Sequence, residues 1–359
     1  MMNNRGKVAA ASCILMALIG AAITSCAPEV LPTPQAAPTQ VTPVLTLDQT
    51  NSILDRVSAT LATATANRDP GVLADRVTGP ALAVRTSQLE VAAIRDDNDQ
   101  ITVIPETFQQ LIVPITEGWP RNLFAITDPT EQLLPPRLLA LEQVNPREPY
   151  RLWAWVQLMP GVTMPAFADP RVGSEEVWYN DGDGLVMSPE EAIRQYADLL
   201  AHGGESAYVG NFQPQSDDEF RTHMAGWSAA QAAALQGDRI EGTYTLTVTP
   251  VDVPTPKAVR SAEGGAMVIG QLRTFERLAA MEGAVLAPQT GVALALLYGQ
   301  EFTNILTATY DDMVALYIPP AGSGQLVTML GYSHIQTGAT VTDPYPPAEE
   351  GEEGEAPTE

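Results

Sequence analysis

The sequence predicts an α+β fold of two tandem units, each made of helices followed by a curved antiparallel sheet, with disordered ends. The main observation is that apolar residues at helical spacing precede β-rich runs, and that this order occurs twice along the 359 residues. A second observation is that Tyr244, Leu246 and Val248 alternate with threonines, which is typical of a sheet with one buried and one solvated face. Helices that precede a meander of strands indicate that the helices cover one face of the sheet.

The first unit is predicted to span residues 46–170. Its opening helix, residues 48–67, carries apolar side chains at helical spacing and stops at Asp69-Pro70-Gly71, and a second helix is expected at residues 81–94. Strands should follow, because short β-rich runs are separated there by Pro, Gly and Asp turns. The predicted strands are residues 111–115, 122–126, 138–144 and 150–159.

A linker at residues 171–187 should lead to a second unit, residues 188–342. Ser188-Pro189-Glu190-Glu191 is a capping-box pattern with proline at the first helical position, and its helix should end at Gly203-Gly204. A further helix near residues 217–235 precedes strands predicted at residues 242–248, 266–275, 302–318 and 326–335. This element order is similar in outline to the cystatin-like cone of the nuclear transport factor two superfamily, which hosts enzymes, binding proteins and scaffolds.

The amino terminus has the pattern of an export signal, predicted at residues 1–25. Arg5 and Lys7 come without an acidic residue and are followed by an apolar run, Val8 to Gly20. The run is shorter than the roughly 20 apolar residues that a spanning helix requires. The segment therefore predicts a cleaved secretory signal.

The quartet Ile23-Thr24-Ser25-Cys26 resembles a bacterial lipobox. The resemblance implies that the sulfur of Cys26 receives a diacylglyceryl group and that the signal is cut just before it, which would place the protein on the extracytoplasmic face of the cell membrane. In a host with two membranes, the outer membrane is the alternative location. The other reading is an ordinary signal cut near Ala22. Since Cys13 lies in the signal, the mature chain has no internal disulfide.

Both ends of the mature chain have the composition of disordered segments. Residues 26–45 contain five prolines among small and polar residues and predict an extended tether, whereas residues 343–359 hold seven acidic residues and no basic one. The formal charge of −24 argues against nucleic acid as a partner and against electrostatic attraction to anionic lipid.

Several phrases resemble an uncharacterised family of exported lipoproteins found mainly in actinobacteria. They are Pro149-Tyr150-Arg151-Leu152, Leu158-Met159-Pro160-Gly161-Val162, Tyr196-Ala197-Asp198-Leu199-Leu200, Ala262-Glu263-Gly264-Gly265-Ala266-Met267-Val268 and Asp312-Met313-Val314-Ala315-Leu316-Tyr317. The resemblance implies an anchored envelope protein, and its phrases belong to the framework of the fold.

The motifs that could carry chemistry have simpler explanations. His202-Gly203-Gly204-Glu205-Ser206-Ala207 partly matches esterase segments, but it follows a predicted helix and fits a helix C-cap. Asn180-Asp181-Gly182-Asp183-Gly184 partly matches a calcium loop, yet Tyr179 stands at its first ligand position, so a polar turn is favoured. His202, His223 and His334 form no pair at a spacing that would deliver two ligands to one metal, so a structural or solvated role is expected for each. We assign no catalytic residue, metal or cofactor.

One strand carries a candidate binding surface. In the strand predicted at residues 150–159, Arg151, Trp153 and Trp155 point to the same side, and tryptophan and arginine are enriched in interface hot spots. The alternative is that the tryptophans pack against a helix or the second unit. The sequence favours a non-enzymatic module that binds an envelope protein or small ligand or supports envelope assembly. The alternative is an envelope hydrolase with an unrecognised site.

Overall fold

The computed structural model describes residues 42–129, 135–237, 240–251 and 255–342. The predicted signal, Cys26, most of the tether and the acidic tail lie outside these ranges. Within the described part of the chain, none of the helices combines the length and apolar character that a membrane span requires.

Five α-helices begin and end where local sequence signals place them. They are α1 (Leu47–Asn67), α2 (Gly79–Arg95), α3 (Pro189–His202), α4 (Glu219–Ala234) and α5 (Gly291–Leu296). Thr46 caps α1 in a reciprocal capping box with Gln49. The Ser188 side chain accepts the Glu191 backbone N–H at the start of α3, and that helix ends at Gly203, whose φ of 57° favours glycine.

Twelve strands are described. They are β1 (Phe108–Ile112), β2 (Pro114–Ile115), β3 (Arg121–Thr127), β4 (Arg137–Gln143), β5 (Arg151–Leu158), β6 (Ser174–Val177), β7 (Gln236–Gly237), β8 (Ile240–Pro250), β9 (Lys257–Arg260), β10 (Ala266–Ala280), β11 (Ile305–Ile318) and β12 (Thr328–Thr342). In β8 the threonines are exposed while Val248 is buried, as the alternation predicts.

The strands form one large, mostly antiparallel sheet. Its main path runs β1-β3-β4-β5-β12-β11-β10-β9-β6-β2. Outside this path, β8 pairs with residues 272–280 of β10. The first and last strands of this path, β1 and β2, are separated in sequence only by Val113. The path therefore ends in the same chain segment in which it begins. The α+β class is confirmed.

The structure does not confirm two tandem cones. β5 from the first predicted unit pairs with β12 from the second, and the predicted linker contains β6, which pairs with β9 and β2. The first core cluster also combines Trp155 of β5 with Met267 of β10 and Met313 of β11. The physical reason is that the first-half strands bury one face against residues of the second half, so neither half has a complete core.

Three clusters of buried apolar side chains hold the elements together. The first joins α1 and α2 to strands of both halves, and the second packs α3 and α4 on β10, β11 and β12. The third lies at the far ends of the long strands, where α5 covers Leu278 and Leu306. The second and third clusters flank the site described next.

Candidate functional site

The strand face predicted as a binding surface lies in the core. Trp153 and Trp155 are both fully buried, and α2 covers them. Gly79 at the start of α2 touches Trp153, and the Arg85 guanidinium carbon is 5.4 Å from the centre of the Trp155 ring. Arg151 forms a 2.8 Å ion pair with Glu148. The prediction of a partner surface is corrected for the tryptophans, because β5 is a central strand with both faces covered, and packing against a helix is what occurs.

The two loop motifs have local structural explanations. Ser206 Oγ donates to Asp198 Oδ1 at 2.5 Å rather than to an imidazole, and His202 is the last residue of α3. Asp181 Oδ1 accepts the backbone N–H of Asp183, which closes a turn.

A cleft lies between α4 and the face of β10, β11 and β12 that it covers. One cavity of about 390 Å³ is lined by residues of α2, α4, β11 and β12. A second cavity, of about 330 Å³, shares Trp227, Thr290, Tyr310 and Gln336 with the first, so the two are adjoining compartments. Both volumes fall in the range of small-molecule sites.

A histidine and a carboxylate form the polar centre of the first compartment. Asp312 and His334 are direct cross-strand partners on β11 and β12, so the register of the sheet brings their side chains together. His334 Nδ1 is 2.6 Å from Asp312 Oδ1, and Thr274 Oγ1 donates to Asp312 Oδ2 at 2.5 Å. The Asp312 side chain is fully buried, whereas His334 lines the cavity.

This contact fixes the orientation of the imidazole. A carboxylate without a proton can only accept a hydrogen bond, so this contact selects the tautomer of His334 that has its proton on Nδ1. Tyr310 stacks on the ring with centroids 4.2 Å apart, which prevents it from tilting. Within the described residues Nε2 of His334 has no protein partner, and a bound molecule could use it.

The neighbouring residue of the same strand shows the contrast between the two faces. Adjacent residues of a strand point to opposite faces, so Asp311 lies on the other side of the sheet. Its carboxylate accepts from Gln271 at 2.7 Å, Arg273 at 2.9 Å and Thr337 at 2.8 Å. Asp311 is thus held by a permanent cation, that of Arg273, whereas the basic partner of Asp312 is an imidazole.

A second buried carboxylate lies under the cleft. Glu276 accepts a hydrogen bond from Tyr310 at 3.2 Å and another from Tyr244 at 3.1 Å. Burial, together with the charge of Glu276, raises the pKa of both tyrosines, so both phenols remain protonated donors at neutral pH. Ser228 of α4 also contacts the Tyr244 hydroxyl, which links the helix to this network.

Two further residues of α4, His223 and Trp227, line the first compartment. Partial burial lowers the pKa of His223, and the nearby imidazole of His334 lowers it further. The imidazole of His223 is therefore neutral at pH 7. The His223 and His334 rings are 6.1 Å apart, centre to centre. The first compartment therefore brings two imidazoles close together beside an indole.

The second compartment has a different character. Its walls include the buried side chains of Leu235, Leu278, Leu286, Leu306 and Ala308. Trp227 and Tyr310 separate this apolar end from the imidazoles. The cleft as a whole is therefore amphiphilic.

The arrangement supports proton transfer at Nε2 of His334 and hydrogen bonding to a ligand head group. The hydroxyls that line the first compartment are engaged elsewhere. Ser87 donates to the Gln336 carbonyl at 3.3 Å, Thr290 caps α5, and Tyr310 donates to Glu276. None of these three is positioned as a nucleophile activated by His334, so water or the ligand would have to supply the reacting group.

Sequence reasoning missed this site. It assigned His223 and His334 structural or solvated roles, and Asp312 appeared only within a framework phrase. One signal was present: Asp312 shares a strand face with Val314 and Leu316, and a carboxylate on an apolar face needs a partner. The partner's identity depended on the β11–β12 register.

Comparison with known proteins gives a family and a relative that is named a lipoprotein. The profile of the family described as Domain of unknown function (DUF8094) matches residues 41–341. A relative named uncharacterized lipoprotein, from Streptomyces coelicolor, is 22% identical over 279 residues, which cover 77% of this chain and 81% of the relative. No solved structure matches the chain.

Proposed function

The chain belongs to the family described as Domain of unknown function (DUF8094), and we propose that it is a lipid-anchored extracytoplasmic protein that binds a small amphiphilic ligand. The observation that carries the proposal is the two-compartment cleft, in which an apolar cavity adjoins a cavity bearing the Asp312–His334 pair. The printed name of the Streptomyces relative and the lipobox-like quartet ending in Cys26 support the anchor.

The geometry suggests how such a ligand would lie. An aliphatic or aromatic portion would occupy the second compartment, where it would be removed from water. A polar group would meet Nε2 of His334, the imidazole of His223 and the amide of Gln336. Apolar walls with a few fixed polar groups are what small-molecule sites generally show.

An amphiphilic dye tests the binding proposal. Anilinonaphthalene sulfonate becomes fluorescent in apolar cavities, and Trp227 lines both compartments. We expect Trp227→Ala to weaken dye binding about tenfold, the loss typical of an aromatic side chain that a ligand covers. Trp178→Ala is the matched control, because Trp178 is exposed and lines neither compartment. Equal dye binding by the two variants would contradict the proposal.

Hydrolysis is a second candidate, and the Asp312–His334 pair is what favours it. An imidazole held by a buried carboxylate is a recurrent general base, and here it could activate water. Ester turnover above the background rate that is lost in His334→Gln and in Asp312→Asn would support this candidate. Turnover that both variants retain would exclude the pair as the catalytic base.

A protein partner in the envelope is the alternative to a small ligand. Crosslinking of the lipidated protein in native membranes, followed by mass spectrometry, addresses it. Reproducible enrichment of one envelope protein, reduced by Trp227→Ala, would identify the cleft as a protein-binding site instead.

A further inference from the structure

A groove of about 560 Å³ lies where the described chain begins. Val44 and Leu45 form one edge, α1 forms one wall, and residues next to the β4–β5 turn complete it. Val44 and Leu45 are the last two residues of the predicted tether, residues 26–45, and lie just before Thr46, which caps α1. The groove therefore surrounds the point at which the predicted tether enters the domain.

Three arginines line this groove. Arg56, Arg76 and Arg121 face only one lining carboxylate, that of Asp48. Among the described residues, none of the three arginines has a carboxylate within ion-pair distance, whereas Arg68, Arg151, Arg171 and Arg194 each have one. The chain has 43 acidic and 19 basic residues, so a cluster of unpaired arginines is unexpected on composition. The groove is a local positive site on an acidic protein.

The arginines retain free donors. Arg76 uses one terminal N–H for the Asp75 carbonyl at 2.9 Å, and Arg121 uses its Nε for the Gly118 carbonyl at 3.3 Å. A guanidinium has five N–H donors, so the others remain available for phosphate oxygens.

A buried phenol also lines the groove. Tyr150 lines the groove and is 5% exposed, yet its hydroxyl has no hydrogen-bond partner among the described residues. Burial raises the pKa of Tyr150, so the hydroxyl is a protonated donor. The hydroxyl oxygen is itself inaccessible to solvent, so the donors open to a ligand are those of the arginines.

The rim of the groove has interfacial character. Arg121 lies 4.0 Å from the centre of the Trp119 ring, and Trp119 is 37% exposed. Leu47 and Val144, which flank the lining residues Asp48 and Gln143, are also exposed. Tryptophan and aliphatic residues beside cations are typical of surfaces that meet lipid head groups.

We propose that the groove formed by Arg56, Arg76 and Arg121 binds the phosphate groups of anionic phospholipids in the membrane to which the protein is anchored. This inference rests on the proposed lipid anchor for its location. A segment of about 18 residues spans at most about 60 Å even when fully extended, so the anchor keeps the groove within reach of the bilayer. The domain would then lie against the membrane rather than move freely above it.

The negative charge of the whole chain does not prevent this contact. At physiological salt the Debye length is about 8 Å, so distant carboxylates are screened while the groove's own charges act directly on the lipid. The net charge disfavours contact between anionic lipid and the average surface of the protein, but not contact with this groove.

Vesicle cosedimentation of the mature chain carrying Cys26→Ser tests the proposal without the lipid anchor. We expect binding to phosphatidylcholine vesicles that contain phosphatidylglycerol, little binding to phosphatidylcholine alone, and release at high salt. The triple variant Arg56→Gln, Arg76→Gln and Arg121→Gln should lose about 100-fold in apparent affinity, since each arginine contributes roughly fivefold near an anionic surface.

The matched control removes the same charge elsewhere. Arg68, Arg171 and Arg194 are exposed or partly exposed and already paired, and their triple substitution by Gln should leave vesicle binding within about twofold. Equal loss in both triple variants, or no preference for phosphatidylglycerol, overturns the proposal. So does tight binding of inorganic phosphate without vesicle binding, which would identify a free anion as the ligand. Because these proteins carry no lipid, failure here leaves the anchor to be tested separately.

Discussion

The buried ion pair between Lys257 and Glu142 offers a sharp test of how the two halves of the chain are held together. Lys257 Nζ is 2.6 Å from Glu142 Oε2, and both side chains are at least nine-tenths buried. Lys257 belongs to β9 and Glu142 to β4, which are not neighbours in the sheet. The pair therefore joins the halves through side chains, with the lysine amine 4.9 Å from the centre of the Trp153 ring.

The magnitude follows from the distance and the burial. At an effective dielectric constant of about 20, charges 2.6 Å apart attract by about 6 kcal/mol. Desolvation offsets much of this attraction, but removing one partner leaves a buried charge uncompensated and typically costs about 3–5 kcal/mol. A second carboxylate, that of Glu176, makes the loss of Lys257 more costly than the loss of Glu142. Glu176 hydrogen bonds to Asn122, and its pKa, which burial raises, is lowered in part by the charge of Lys257.

We expect Lys257→Met to lower the free energy of unfolding by about 3–5 kcal/mol at neutral pH, and Glu142→Gln by less, because Glu176 still balances the lysine. The double variant Lys257→Met with Glu142→Gln should be more stable than Lys257→Met alone. Acidification should reduce the cost of Lys257→Met, because protonation of Glu176, whose pKa burial raises, removes a buried charge that has lost its cation.

Urea unfolding of the four proteins, followed by circular dichroism at about pH 7 and about pH 5, measures these differences. If the double variant loses the sum of the two single losses, the charges are not coupled. A loss for Lys257→Met that does not change with pH would show that no buried carboxylate depends on the lysine. Either result would refute the reasoning.

Three further predictions concern the fold and the anchor. Gly79 has a φ of 55°, and a Cβ at this position would lie 2.5 Å from the Trp153 ring. Gly79→Ala should therefore lower the free energy of unfolding, measured in urea, by about 2 kcal/mol or more. An unchanged unfolding midpoint would contradict this prediction. Burial raises the pKa of Asp218, so the folded state binds more protons than the unfolded state just above the usual carboxyl pKa, and stability falls as pH rises through that window. Asp218→Asn should flatten this slope, whereas Asn at the exposed neighbour Asp217 should leave it unchanged. Cys26→Ser should leave an unprocessed or mislocalised precursor, and palmitate labelling that persists would refute lipidation.

The four longest helices were predictable because their signals are local, whereas the six-residue α5 was not predicted. The spacing of Leu54, Val57 and Leu61 identified α1, and the Ser188-Pro189 start identified α3. The long strands were also recognisable from β-rich runs between turns. These features depend on residues that are near one another in sequence.

The strand pairing was not predictable from the same signals. β6 and β9 are four residues each, and the Ser-Glu-Glu-Val of β6 lacks the apolar pattern of a strand. These short strands connect the predicted units, so missing them led directly to the two-unit prediction. Trp153 and Trp155 were ambiguous for a related reason: alternation in sequence shows which side chains share a face, but not whether a helix covers that face.

The candidate site was hidden because sheet register assembles it. Asp312 and His334 are 22 residues apart, and Thr274 lies 38 residues before Asp312 on a third strand. No short motif can encode such a spacing, because it depends on the length of the intervening loop. The arginine groove was hidden in a different way, since a net charge of −24 conceals where the few cations gather.

The contrast between Asp311 and Asp312 argues that the second carboxylate serves more than stability. Both are buried in the same strand, and a purely structural carboxylate is served well by an arginine and neutral donors, as Asp311 is. Asp312 instead holds an imidazole whose second nitrogen faces a cavity. An arginine in place of His334 would stabilise the fold equally well. The imidazole differs because it can also donate a proton to a ligand or accept one from it. The difference between the two neighbours therefore points to the cleft as the place where this protein acts.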